Sequence, residues 1–158
     1  MEKISLKSKL IAIQNELKVP KSNKNDFGGY TYRNIEDILE EVKKIAQKLN
    51  CCIVMTEDLE EKANRVYIKS TVMLFDGDSD DILQSVAYAQ EPQNQKSMSD
   101  PQKTGSAISY ARKYACQGLF GISDSSLDPD KTNTHGKAVH KSTISEPTTE
   151  NIVTEDLL

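Results

Sequence analysis

No stretch of this 158-residue sequence approaches the ~18 consecutive apolar residues of a membrane-spanning helix, so no membrane partner is expected. The N-terminal stretch MEKISLKSKLIAIQNEL is cationic but lacks a small-residue cleavage site and an unbroken apolar centre. It reads as an amphipathic helix rather than a signal peptide, and a cytoplasmic protein is expected. Cysteine is scarce: Cys51 and Cys52 are adjacent, Cys116 stands apart, and no CxxC or histidine-paired spacing exists. That excludes the common zinc patterns and leaves buried, reduced thiols. The two histidines, His135 and His140, both lie late in the chain, so no Ser-His-Asp set can be assembled. Gly136-Lys137 has neither the preceding glycine nor the leading strand of a phosphate loop. Asp76, Asp78, Asp80 and Asp81, like Asp124, Asp128 and Asp130, show no complete calcium-loop pattern and read as solvated turn residues. No catalytic residue, metal or cofactor is expected, and the chain does not read as an enzyme.

An excess of positive charge is also missing, but only in the total. The chain carries 20 Lys+Arg against 24 Asp+Glu, a net charge of −4. Residues 1–122 hold 17 of each sign, and residues 1–50 are net +3, so the whole acidic excess falls in residues 123–158. A local basic surface can bind phosphates while the total is negative.

What is present is a sequence of periodic segments. Ser5 caps a helix with Leu6, Leu10, Ile13 and Leu17 at helical spacing, closed by Pro20. Lys21 to Gly29 is a loop of turn formers, and Tyr30-Thr-Tyr-Arg33 is a short extended stretch with Tyr30 and Tyr32 on one face. Asn34 caps a helix from Ile35 to Leu49, with Asp37 completing a loose capping box and Glu36, Glu40, Glu41, Lys43 and Lys44 as its solvated face. Three strands follow, Cys51–Glu57, Arg65–Phe75 and Ile82–Gln90, joined by Asp58–Ala63 and by Asp76–Asp81. A three-stranded antiparallel meander is the simplest topology. Glu91–Lys103 is polar and proline-punctuated, and longer than most connectors. An α+β domain of residues 1–122, with helices packed on the sheet, is expected, followed by a disordered acidic tail over 123–158. The tail closes on Asn151-Ile-Val-Thr-Glu-Asp-Leu-Leu158, either a plain end or a docking peptide.

The last helix, Gly105 to Ile122, carries the chemistry, and fraying is expected at Gly118. At about 100° per residue, Ile108, Ala111, Ala115, Leu119 and Ile122 share one side. Tyr110, Lys113, Tyr114 and Gln117 occupy the other, with Lys103 joining if the helix starts early. Arg112 falls within the apolar arc and must either snorkel out or find a partner. Cations that track phosphates, interleaved with aromatics on which bases stack, are what a single strand requires. Candidates for contact with single-stranded DNA are Tyr30, Tyr32 and Arg33; Arg65, Tyr67 and Lys69 on one face of the second strand; and Lys103, Tyr110, Arg112, Lys113 and Tyr114. Tyrosines can equally be core residues with a wet hydroxyl, Tyr30 and Tyr114 above all, and an alternating strand face can be plain solvated sheet.

Two stretches, Gly29-Tyr-Thr-Tyr-Arg-Asn-Ile-Glu-Asp-Ile38 and Ser109-Tyr-Ala-Arg-Lys-Tyr-Ala-Cys-Gln-Gly-Leu-Phe-Gly-Ile-Ser-Asp124, resemble in order and separation the essential recombination function (ERF) family of phage-type single-strand annealing proteins. The resemblance covers the region from Ser5 to Asp130, and Arg112 and Lys113 align with the basic pair of its signature. It implies an ATP-independent protein with a fold similar to the core of ring-forming recombination annealers. Such a protein would bind single-stranded DNA as a homo-oligomeric ring or filament in a bacterial host cell and pair it with its complement. Residue chemistry leaves two other classes open: a module that protects single strands without annealing them, and an adaptor for a single-strand binding protein or exonuclease acting through the C-terminal tail.

Overall fold

A computed structural model describes residues 3–26, 29–93 and 95–123, with the backbone alone at Tyr30. The expected disordered tail and its terminal peptide lie outside the described residues. The elements run α1 (Leu6–Glu16), β1 (Asn23–Asn25), β2 (Tyr30–Tyr32), α2 (Ile35–Lys48), β3 (Cys51–Lys62), β4 (Arg65–Asp76), β5 (Ile82–Gln90) and α3 (Asp100–Phe120). The fold is α+β, with β3, β4 and β5 forming the expected antiparallel meander in that order.

Each helix starts where a side chain satisfies its free backbone groups. Ser5 Oγ accepts from the Ser8 amide, and Asn34 Oδ1 accepts from the Asp37 amide while Asp37 Oδ2 accepts from that of Asn34. Gln102 Oε1 likewise accepts from the Ser99 amide at the head of α3. All three helices pack on one face of the sheet. Ile68, Ser70, Val72, Leu74 and Asp76 of β4 point toward them, and the main core joins Val72 and Leu74 to Ile13, Ile38, Val42, Ala115 and Phe120. The other face carries Val54, Ile82, Val86 and Tyr88, each more than 40% exposed, so it has no layer over it.

Four expectations are corrected. The stretch from Lys21 to Gly29 is not all loop: Asn23–Asn25 pairs with Tyr30–Tyr32 as a two-stranded ribbon, for which its polar sequence gives no apolar signal. Residues 58–62 are not a connector but the continuation of β3, and Lys62 pairs with Arg65 across a two-residue turn. Ala63 and Asn64 both take positive φ there, 51° and 57°, as a twist-matched tight hairpin requires. Finally, α3 starts at Asp100 and does not fray at Gly118. A Cβ at Gly118 would lie 2.7 Å from Ser85 Oγ, so that glycine lets α3 approach β5. The helix stops at Gly121 in the left-handed conformation, φ 64°.

The fourth correction concerns the aspartates after β4, read as solvated turn residues. Lys9, 4% exposed on the packed side of α1, places its Nζ 2.7 Å from Asp76 Oδ1 and also bonds Asp78. Asn50 Nδ2 holds Asp78 from the other side, and the Gly77 amide donates to the Asn50 carbonyl. The loop is therefore fixed to α1 by charge and to the residue two past the end of α2 by hydrogen bonds from neutral donors.

Candidate nucleic-acid interface

On α3 the spacing of 110, 113 and 114 places three side chains on the outward surface of one helical turn. Lys113 Nζ lies 4.6 Å from the centroid of the Tyr110 ring and 5.4 Å from that of Tyr114. The two rings are 6.0 Å apart and tilted by 43°. A cation placed against two ring faces is attracted to both by their negative quadrupoles.

Across from this turn stand the end of β2 and the start of α2. Tyr32, 37% exposed, and Arg33 share with Tyr110 and Lys113 the lining of a hollow of about 210 Å³, completed by Asn34, Ile35, Ser109 and one carboxylate, Glu36. Arg33 Nε is buried here with no hydrogen-bond partner among the described residues. A buried, unsatisfied guanidinium N–H costs stability unless something accepts from it. The Asn34 cap sets this geometry, because it turns the chain from strand to helix directly after Arg33. Tyr32, Arg33, Tyr110, Lys113 and Tyr114, drawn from two stretches far apart in sequence, therefore meet in one place.

Among the described side chains, Arg112, Arg65, Tyr67, Lys69 and Lys103 do not join them. Arg112 turns inward: its Nε donates to Glu57 Oε1 at 2.7 Å and its Nη2 to Oε2 at 2.8 Å, the partner its place in the apolar arc required. That pairing holds the Glu57 carboxyl below its usual range, chiefly through the Arg112 hydrogen bonds. Arg65, Tyr67 and Lys69 lie on the uncovered face of the sheet, opposite to α3, and Lys69 Nζ is 3.5 Å from Glu60 Oε1. Lys103 sits at the entry to α3, bonded to Asp100 at 2.9 Å, beside a separate hollow lined by Val66 and Glu91. The side chain of Tyr30 lies outside the described residues.

Burial accounts for Cys116, which is fully enclosed with its thiol pushed up to about 12. Among the described residues no three His, Cys, Asp or Glu side chains gather to hold a metal ion, and no helix is long and apolar enough to cross a membrane. One aromatic that the sequence did not single out is Tyr88. It lies opposite Lys69 on β5, 45% exposed, with its hydroxyl directed at Glu60 and Lys62 5.8 Å from its ring centroid. Its alternation with apolar residues reads as ordinary strand, and only the folded sheet shows that it shares the uncovered face with Lys69 and Glu60.

The family described as the ERF superfamily matches residues 6–156 of the chain. That span runs past Asp130 and takes in most of the acidic C-terminal segment. Among curated proteins, the essential recombination function protein of Salmonella phage P22 is 41% identical over 117 residues, which are 74% of this chain and 55% of that protein. The matched region thus spans about half the length of that relative. No solved structure matches the chain.

Proposed function

Because the chain belongs to the ERF superfamily, we propose that it binds single-stranded DNA and anneals complementary strands without ATP, as a step in phage-type homologous recombination. The observation that carries the reading is the meeting of Arg33 with Lys113 and its two tyrosines across one open hollow. Phosphates would be held by Arg33 and Lys113, and Tyr32 and Tyr110 would offer ring faces alongside. Contacts of this kind read no sequence, so any strand could be taken up and presented to its complement.

A few cations on a domain of this size give weak binding alone. Repetition in a homo-oligomeric ring or filament would multiply those contacts along one strand. We assign annealing to residues 1–122 and give the acidic segment 123–158 the recruitment of a partner such as a single-strand binding protein or exonuclease. The protein would act in the cytoplasm of the bacterial host. No bond is made or broken in this process, so no catalytic group is assigned.

The test is fluorescence-monitored annealing of two complementary oligonucleotides, without ATP, at low and moderate salt. Acceleration by the full chain supports the reading. Binding that protects the strands but slows their pairing would replace it with a protective module, and folded protein that does not bind would remove it.

A further inference from the structure

The three-stranded sheet ends on two open edges. β3 and β5 are its outer strands, and among the described residues no backbone hydrogen bond reaches the outward amides and carbonyls of either. Edge strands are ordinarily guarded against pairing with another chain by charge, proline, a bulge or shortness. β5 has none of these: its nine residues, Ile82–Gln90, include no charge and no proline, and they pair with β4 without a skipped position. β3 is guarded over only part of its length, since Glu57, Asp58, Glu60 and Glu61 fill its second half while Cys51–Thr56 is uncharged. Phe75 of β4 stands between Cys52 on one side and Ile82 on the other, so the two uncharged stretches begin at the same end of the sheet and run in the same direction. The core is open at both edges as well. Val72 and Leu74 on β4 are fully buried, but Ile53 and Met55 on β3 and Leu83 and Ala87 on β5 are only partly so.

Resting on the homo-oligomeric part of the reading above, we propose that the open β5 edge receives the β3 edge of a second copy of this chain, so that one sheet continues from subunit to subunit. A copy brought alongside without reversal places Ile82–Val86 beside Cys52–Thr56 of its neighbour as a parallel pair. Ile82, Gln84 and Val86 then meet Cys52, Val54 and Thr56 of the neighbour on the uncovered face. On the helix-covered side Leu83 comes beside Ile53 and Met55 of the neighbour, which closes the core that each edge leaves open. Pairing of like edges about a two-fold axis serves the chain less well. Joined β3 edges would lay the carboxylates of one copy against the apolar stretch of the other, and joined β5 edges would leave every β3 edge open. Unlike edges joined head to tail repeat, and the assembly grows into a ring or a filament.

The native Cys52 thiol, exposed at the proposed junction, provides the test. With the full chain, Gln84→Cys treated with a short bis-maleimide should give a covalent ladder of dimers, trimers and longer species, and adding Cys52→Ser should remove it. Dimers alone that survive Cys52→Ser would show β5 paired with itself and overturn the proposal. A second variant, Val86→Lys, sets a charge on the β5 edge. Light scattering should show wild type assembled and this variant reduced to monomer, with an unchanged circular dichroism spectrum. Folded Val86→Lys that assembles as wild type does, or wild type that stays monomeric with and without oligothymidylate, would overturn the junction. Assembly that Val86→Lys abolishes, in a protein that binds no single strand, would support the junction and remove the single-strand reading alone.

Discussion

Arg112 and Glu57 are joined by two parallel hydrogen bonds, at 2.7 and 2.8 Å, that tie the middle of α3 to β3 across the helix-covered face of the sheet. Ser70 of β4 donates to the same carboxylate at 3.3 Å, so one side chain links three elements. Its neighbour Lys113 points the opposite way, against Tyr110 and Tyr114. Two adjacent cations of one motif thus divide between architecture and surface.

That division is testable by single substitutions. Arg112→Ala should cost about 1–2 kcal/mol in urea unfolding, at the low end of values for broken ion pairs because the guanidinium remains partly solvated. Lys113→Ala should leave the unfolding midpoint within about 0.5 kcal/mol of wild type and weaken single-strand binding. A reversal of these two outcomes would exchange the roles assigned here.

Salt dependence reports the number of phosphates held. Each contact with a single strand contributes about 0.7 to the slope of log affinity against log salt. Arg33→Ala combined with Lys113→Ala should flatten that slope by about 1.4 in a titration of oligothymidylate. An unchanged slope in the folded double variant would move the phosphate site elsewhere, with the Arg65, Tyr67 and Lys69 face as the next place to look.

Acid should unfold the protein through identifiable groups. Arg112 holds Glu57, and Lys9 holds Asp76 and Asp78, below their usual range. A depressed folded pKa gives stability that is fully present above the unfolded value, about 4, and is lost as pH falls through the folded one. Urea midpoints should therefore fall from about pH 4 downward, and Glu57→Gln should lose less over that window than wild type. On the alkaline side Lys9 is raised, first by its hydrogen bond to Asp76. Its contribution is complete below the unfolded lysine value, about 10.4, and declines only above it, so no loss from this group is expected between about pH 6 and 9.

The hairpin between β3 and β4 contains a correctable flaw. Ala63 occupies the left-handed region at φ 51°, where a Cβ crowds the backbone. Ala63→Gly should stabilise the folded state by roughly 1 kcal/mol despite the greater freedom of glycine when unfolded. Thermal unfolding would read this as a rise of several degrees, and a fall in Tm would show the turn to be unstrained.

Much of the fold could be read in the sequence because its signals are local. Ser5 and Asn34 begin helices by their own side chains, Gln102 reaches back to the Ser99 amide, and the alternation in Arg65–Phe75 follows directly from burial on one face. The extension of β3 could not be read, since beyond Glu57 the strand passes clear of the helices and Leu59 is 64% exposed; burial there imposes no pattern. Lys9 reads as one more cation on an amphipathic helix, because the carboxylates that hold it come 67 and 69 residues later. The candidate site was legible as chemistry but not as geometry. The tyrosine and cation content of the two motifs was evident, whereas the inward turn of Arg112 depended on Glu57, and the edge position of Tyr88 depended on strand order.

The position of α1 has a consequence for synthesis on the ribosome. Its Lys9 awaits Asp76, and its Gln14 donates from Nε2 to the carbonyl of Leu119 at 2.9 Å, near the last turn of α3. Helix α1 is therefore made long before its full set of partners exists. Until residue 119 has left the exit tunnel, Leu6 and Ile13 have no completed core to enter, and the nascent chain must carry them exposed.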